Sequence, residues 1–190
     1  MIKETATDVH PPLYYVFVQI LCRIFGFNNV SYHLASFIPY IIMMIFSFTT
    51  MKRRFGCGTS IIMMTMLSMM DKALTYNMEA RMYSLGAMFV VLSFWELYEI
   101  LQINRKKSYI LFTIYSLGAA YTHYYCLISV AFFYIVLLIM ACVQRRKYFS
   151  AVLKACIITV LGYLPWFFCV AEDFQKNFRQ FLDDRTSKFF

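Results

Sequence analysis

Three basic clusters punctuate this chain, Lys52-Arg53-Arg54, Arg105-Lys106-Lys107 and Arg145-Arg146-Lys147, and between each successive pair lie two apolar stretches. A chain that leaves one face of a bilayer after one cluster is therefore back at that face before the next. Loops rich in Lys and Arg stay on the cytoplasmic side, so this parity predicts an integral membrane protein and fixes which loops face outward. Composition agrees: the chain is 61% hydrophobic and 15% charged, against about half and a quarter in soluble domains. A core formed by 190 residues cannot hide that much apolar surface, so lipid must be part of the solvent. The net charge of +8 does not indicate a nucleic-acid partner, because the three clusters and Lys154 hold ten of the 18 Lys and Arg residues, and there they orient helices.

The six cysteines, Cys22, Cys57, Cys126, Cys142, Cys156 and Cys169, lie mostly in apolar segments, with no CxxC and no His at zinc-ligand spacing. They read as small buried apolar residues rather than a disulfide framework or metal site. No cofactor is expected, and a divalent-metal requirement is left open. Residues 1–9 are polar, and no signal peptide is expected there.

The fold class expected is all-α: a polytopic membrane protein of about six transmembrane helices plus one outer interfacial helix. The 13–25 segment is apolar but carries Arg23 and falls short of the roughly 20 residues a span needs, so it reads as interfacial or re-entrant. Spans are expected at 32–51, 60–76, 83–103, 108–120, 124–142 and 151–171. The whole chain, 1–190, is read as one unit, with an outer loop and interfacial helix over 1–31, the transmembrane helices over 32–171, and an outer polar tail over 172–190. Glu96 and Glu99 fall near the inner end of their span, within reach of headgroups or the basic loop. The second span is the odd one. Its clean apolar run, 61–70, rises about 15 Å, half the hydrocarbon thickness, so Asp71 and Lys72 must lie in or near the membrane. Two readings stand: a wet, outward-opening cavity, or a helix end with snorkelling side chains.

Three outer strings have chemistry to offer. In Asp8-Val9-His10-Pro11-Pro12-Leu13-Tyr14-Tyr15, a residue before proline is pushed out of the helical region and the prolines suit the first turn of a helix. Asp8 and His10 are thus presented at a helix N-terminus, which favours anions; the plainer reading is an Asp cap on an interfacial helix. In Asn77 to Leu85, Glu79 and Tyr83 share a helical face, whereas Glu79 and Arg81 stand two apart and cannot pair along the helix. Arg81 suits bidentate capture of phosphate, and Glu79 suits a sugar hydroxyl or a base role; a polar helix start with a dipole-favoured Glu is the alternative. In Tyr121 to Tyr125, His123 is a candidate donor in a tight outer hairpin, though interfacial Tyr and His are commonly structural. Leu164-Pro165-Trp166 adds a proline expected to kink the last span. No nucleotide-binding glycine loop, HExxH or GxSxG is present.

In order and membrane side, these strings resemble the bacterial polytopic glycosyltransferases of the C-fold (GT-C) superfamily, in the branch related to protein mannosyltransferases and lipid A aminoarabinose transferases. The strings that carry the resemblance are Asp8 to Tyr15, Met78 to Leu85 (with Met78 where that branch has Gln), Thr122-His123-Tyr124 and Leu164-Pro165-Trp166, and it covers about 5–171. It implies a partial GT-C fold and transfer of a sugar from a polyprenyl-phosphate donor to a lipid, glycan or protein acceptor. The site would lie at the outer face of the bacterial cytoplasmic membrane, with membrane lipids as the other partners. It also implies roles: Asp8 as catalytic base, with His10, Glu79, Arg81, Tyr83, His123 and Tyr124 binding substrate. Full members begin with a further helix followed by an acidic pair, and continue through several more spans. The expectation is therefore a truncated reading frame or fragment, inactive by itself. The rival readings are a flippase or transporter component, which would show charge near the midplane or an internal repeat, and an inactive remnant.

Overall fold

The computed structural model describes residues 11–69, 82–143 and 148–187, with backbone alone for 170–187. Among the described residues the chain is helical, with no strand. The helices are α1 (Leu13–Phe25), α2 (Asn29–Phe55, with a π-helical turn at Ser47–Met51), α3 (Cys57–Met69), α4 (Tyr83–Gln102), α5 (Lys106–Ala120), α6 (Tyr124–Val143) and α7 (Phe149–Ser187).

Four of these are long and apolar enough to cross a membrane: α2, α4, α6 and the Phe149–Cys169 part of α7. They coincide with four of the expected spans. The other two expected spans are represented by α3, 13 residues as described, and α5. At 15 residues, α5 rises about 22 Å, less than the roughly 30 Å hydrocarbon core. It tolerates being short because it lies among protein: Phe112, Ser116, Ala119 and Ala120 are fully buried.

Side-chain contacts give the order of the bundle. The Phe89 ring of α4 lies against Gly118 of α5, and Glu96 of α4 is hydrogen-bonded by Ser108 of α5, so these two helices run antiparallel. On the other side of α5, Phe112 packs on Tyr134 of α6 with ring centroids 4.7 Å apart. Leu117 fills the space beside Gly162 of α7. Between α6 and α7, the Tyr134 and Thr159 hydroxyls share a buried hydrogen bond of 2.6 Å, the kind of polar link that holds helices together in lipid. At the other edge, Phe46 of α2 meets Trp95 of α4 at 5.5 Å. Ser47 of α2 and Ser60 of α3 are clasped by reciprocal bonds, each hydroxyl donating to the other's carbonyl at 3.1 and 2.9 Å.

The outward faces are apolar as well. Ile114, Ile128, Phe132, Ile139, Ile158 and Phe168 are all more than half exposed. Helices that are hydrophobic all round belong in lipid, which makes this a multi-pass membrane protein.

The two described basic clusters lie at one end. Lys52, Arg53 and Arg54 occupy the last turn of α2, where cations are favoured by the carbonyl end of the helix, and Gly56 ends that helix at φ 88°. The Arg54 guanidinium lies 5.8 Å over the Tyr98 ring. Lys107 is within electrostatic reach of Glu96. Arg145 to Lys147 lie outside the described residues, but Ala141 and Tyr148, on either side of them, line a cleft with Ile100 and Tyr109 at the same end. The α4–α5 turn there is made by Asn104, at φ 56°, a conformation asparagine tolerates, with its side chain accepting from the Tyr109 hydroxyl at 2.7 Å.

One expectation differs in detail. Pro12 is the N-cap of α1 rather than part of its first turn. The polar segment from Glu172 continues α7 to Ser187; hydropathy marks where lipid ends, not where a helix must. Glu96, expected to reach headgroups or pair with the basic loop, is buried between α4 and α5 with Lys107 of that loop within electrostatic reach. Pro165 lies inside α7 and Pro39 inside α2. Asp71 and Lys72 fall outside the described residues. The cysteines are all free; Cys22 is buried as expected, whereas Cys57, Cys142 and Cys169 are exposed.

Candidate functional site

Opposite the basic end, three separate parts of the chain meet. The first is the entry to α1. Pro11 is fully buried, and the Leu13 N–H donates to the Tyr121 carbonyl at 3.0 Å. Proline at 12 leaves no N–H to satisfy there, and its carbonyl accepts from Val16 N–H at 3.1 Å. The chain segment carrying Asp8 and His10 therefore leads directly into a backbone bond with the α5–α6 turn.

The second part is the start of α4. Met82 caps it, buried, and its carbonyl accepts from Gly86 N–H at 3.0 Å. Tyr83, the first helical residue, has its ring 5.6 Å from that of His123. The approach depends on Gly86: a Cβ there would stand 2.7 Å from Cys126 Sγ and 3.5 Å from the Thr122 methyl.

The third part is the turn itself. Tyr121 closes α5, and its hydroxyl donates to Gly162 O of α7 at 2.7 Å. Its ring lies 5.5 Å from that of Tyr163. Thr122, fully buried, donates to Gly118 O at 2.6 Å. His123 is the N-cap of α6. Its carbonyl accepts from Leu127 N–H at 3.1 Å, and its Nδ1 accepts from Tyr125 N–H at 3.2 Å, the capping geometry usually supplied by Ser, Thr, Asp or Asn. The ring stacks on Tyr125 at 5.2 Å. With Nδ1 accepting, the proton of the neutral imidazole resides on Nε2. Tyr124, half-buried, opens α6.

Of the residues singled out in the sequence, the structure thus brings Tyr83, His123 and Tyr124 together at one end. Asp8, His10, Glu79 and Arg81 lie outside the described residues. His10 is one peptide bond from buried Pro11, and Arg81 is two from Tyr83. Among the described residues no group of three or more His, Cys, Asp or Glu is placed to hold a metal ion. Sequence reasoning named Thr122 within a string but gave it no role, and it did not find the docking of Leu13 on Tyr121 or the capping role of His123. A polar pair ahead of an apolar run was the available signal for the last, but histidine is an uncommon cap.

No curated protein and no solved structure matches the chain. A family model does: that of the dolichyl-phosphate-mannose-protein mannosyltransferases, over residues 9–166, from the residue before His10 through Trp166. With so much of its length matched, including all of α1 to α6, the chain belongs to this family of membrane glycosyltransferases.

Proposed function

We propose that this chain takes part in moving a sugar from a polyprenyl-phosphate donor to a hydroxyl of a lipid, glycan or protein acceptor, at the outer face of a bacterial cytoplasmic membrane. The observation that carries the reading is the convergence of Pro11–Leu13, Met82–Tyr83 and Tyr121–Tyr124 at the end of the bundle away from the basic clusters. Those segments are flanked by Asp8, His10, Glu79 and Arg81.

The chemistry follows from residue types. Asp8 takes the proton of the acceptor hydroxyl, whose oxygen attacks C1 of the sugar from the side opposite the phosphate. The C1–O bond breaks with its electron pair going to the phosphate, and the anomeric configuration inverts. General-base help of this kind contributes about 10²–10⁴-fold. The charge growing on the phosphate is met by Arg81, whose fork matches phosphate oxygens, and by the Nε2–H of His123, whose tautomer the α6 cap selects. Donors fixed in advance on the position where charge appears are an effective means of lowering such a barrier. Glu79, four residues before Tyr83 in the sequence, holds a sugar hydroxyl.

Arg81→Ala tests the assignment. Sugar transfer from a polyprenyl-phosphate-linked donor, measured in membranes containing the chain, is expected to fall about 10- to 100-fold, the worth of a lost charge-assisted hydrogen bond. Transfer within twofold of the parent would remove Arg81 from the site.

Orientation has its own test. In a chain whose native cysteines are replaced, Phe27→Cys in the exposed α1–α2 turn should react with an impermeant maleimide in intact cells. Arg105→Cys, in the basic turn, should react only after permeabilisation. The reverse pattern would invert the topology and place the site in the cytoplasm.

A further inference from the structure

At the basic end of the bundle, away from the candidate site, α4, α5, α6 and α7 leave a narrow cleft. Buried Ile100 of α4, Leu137 and Ala141 of α6 and Val152 of α7 form its apolar walls, and half-buried Tyr109 of α5 and Tyr148 complete it. Leu137 stands six residues before the end of α6 at Val143, so the cleft reaches about 9 Å into the bilayer from that end. The two tyrosines are the residue type that gathers at headgroup level. The enclosed space is about 40 Å³, room for the beginning of an acyl chain but not for a headgroup, which must stay at the rim.

The rim is cationic. Lys106 is three residues before Tyr109 and Arg105 four, on the side of α5 that carries that ring, and both are exposed. Lys107 is within electrostatic reach of Glu96. Arg145, Arg146 and Lys147, outside the described residues, run directly into Tyr148 in the sequence. Orienting the helices requires only that these cations lie on one side of the membrane; it does not require a cleft beside them. A ligand complementary to both features has an apolar chain in the bilayer and a negative headgroup at its surface, and cations beside a pocket between spans suit a lipid phosphate.

We propose that this cleft binds an anionic phospholipid, its phosphate held by Arg105 and Lys106 and the start of one acyl chain lying between Tyr109 and Tyr148. The occupant follows from charge complementarity, and the proposal is independent of the sugar-transfer reaction.

Titration of the full chain, purified in an uncharged detergent, tests it. Phosphatidylglycerol is expected to raise the thermal unfolding midpoint to a plateau, as a ligand of the folded state does, and phosphatidylcholine with the same acyl chains is not. The double variant Arg105→Gln, Lys106→Gln should weaken the apparent Kd for phosphatidylglycerol about 5- to 30-fold, the worth of one to two cations at a membrane surface. Lys52→Gln with Arg53→Gln removes the same charge from exposed positions at the other edge of the bundle and should change it less than twofold. Equal losses in the two doubles would mean that general surface charge attracts the lipid, and the cleft would be no site. An equal response to phosphatidylcholine, or saturation by glycerol phosphate without acyl chains, would also overturn the proposal.

Discussion

Asp8→Asn is expected to lower the rate of sugar transfer about 10²–10⁴-fold, the range that a positioned general base contributes, while donor KM changes little. The amide keeps the shape and hydrogen-bonding reach of the carboxylate but cannot take the acceptor's proton. Glu79→Gln is the necessary comparison. If Glu79 holds a sugar hydroxyl, its loss weakens binding and shows mainly in KM, by about tenfold, the cost of a hydrogen bond to a charged group. In sequence the two carboxylates precede segments that meet at one turn, Leu13 bonded to the Tyr121 carbonyl and Tyr83 beside His123, so both are candidates for the base. Kinetics separate them. If Glu79→Gln loses rate and Asp8→Asn loses only affinity, the roles are exchanged. If neither loses more than twofold, the base is not among these residues.

The sequence made the order of helices legible because charge and hydropathy are read one residue at a time. The basic clusters, the short apolar 13–25 segment and the edges of α4 and α6 needed no tertiary information, and α1 starts and stops where Pro12 and Gly26 require. Where the sequence fell short, packing had decided. The shortness of α5 is tolerated only because α4, α6 and α7 surround it. The end of α7 was invisible to hydropathy: after Pro165 there is no further Pro or Gly to stop the helix, so it outlasts the apolar segment. Site residues were legible as types but not as neighbours. Tyr83 and His123 are separated by two helices in the chain, and their rings meet because Gly86 lets α4 close on the start of α6 and Gly118 lets it close on α5. A lone glycine in an apolar run gives no sequence signal of what it faces.

That dependence on glycine gives the second large effect. A Cβ at Gly118 would stand 2.7–2.8 Å from three atoms of the Phe89 ring, and Phe89 is itself packed against the cluster formed by α1, α2 and α4, so the ring has little room to retreat. Helix propensity alone favours replacement of glycine by about 1 kcal/mol; overpacking costs about 1–3 kcal/mol and more as the side chain grows. The clash is therefore expected to dominate for Gly118→Leu, giving a clear fall in the unfolding midpoint in detergent and poor recovery of folded protein. Gly58, also helical but with nothing within 4 Å of its Cβ position, is the matched control, and Gly58→Leu is expected to leave the midpoint unchanged or raised. Separation of α4 from α5 should also draw Tyr83 away from His123, so whatever Gly118→Leu protein does fold should lose sugar transfer beyond its loss of yield. A smaller residue at 89 should recover part of both: in Phe89→Leu, Gly118→Ala should cost less than it does alone. Midpoints that move alike for positions 58 and 118 would mean that α4 and α5 are not in close contact, and the convergence on which the site rests would go with them.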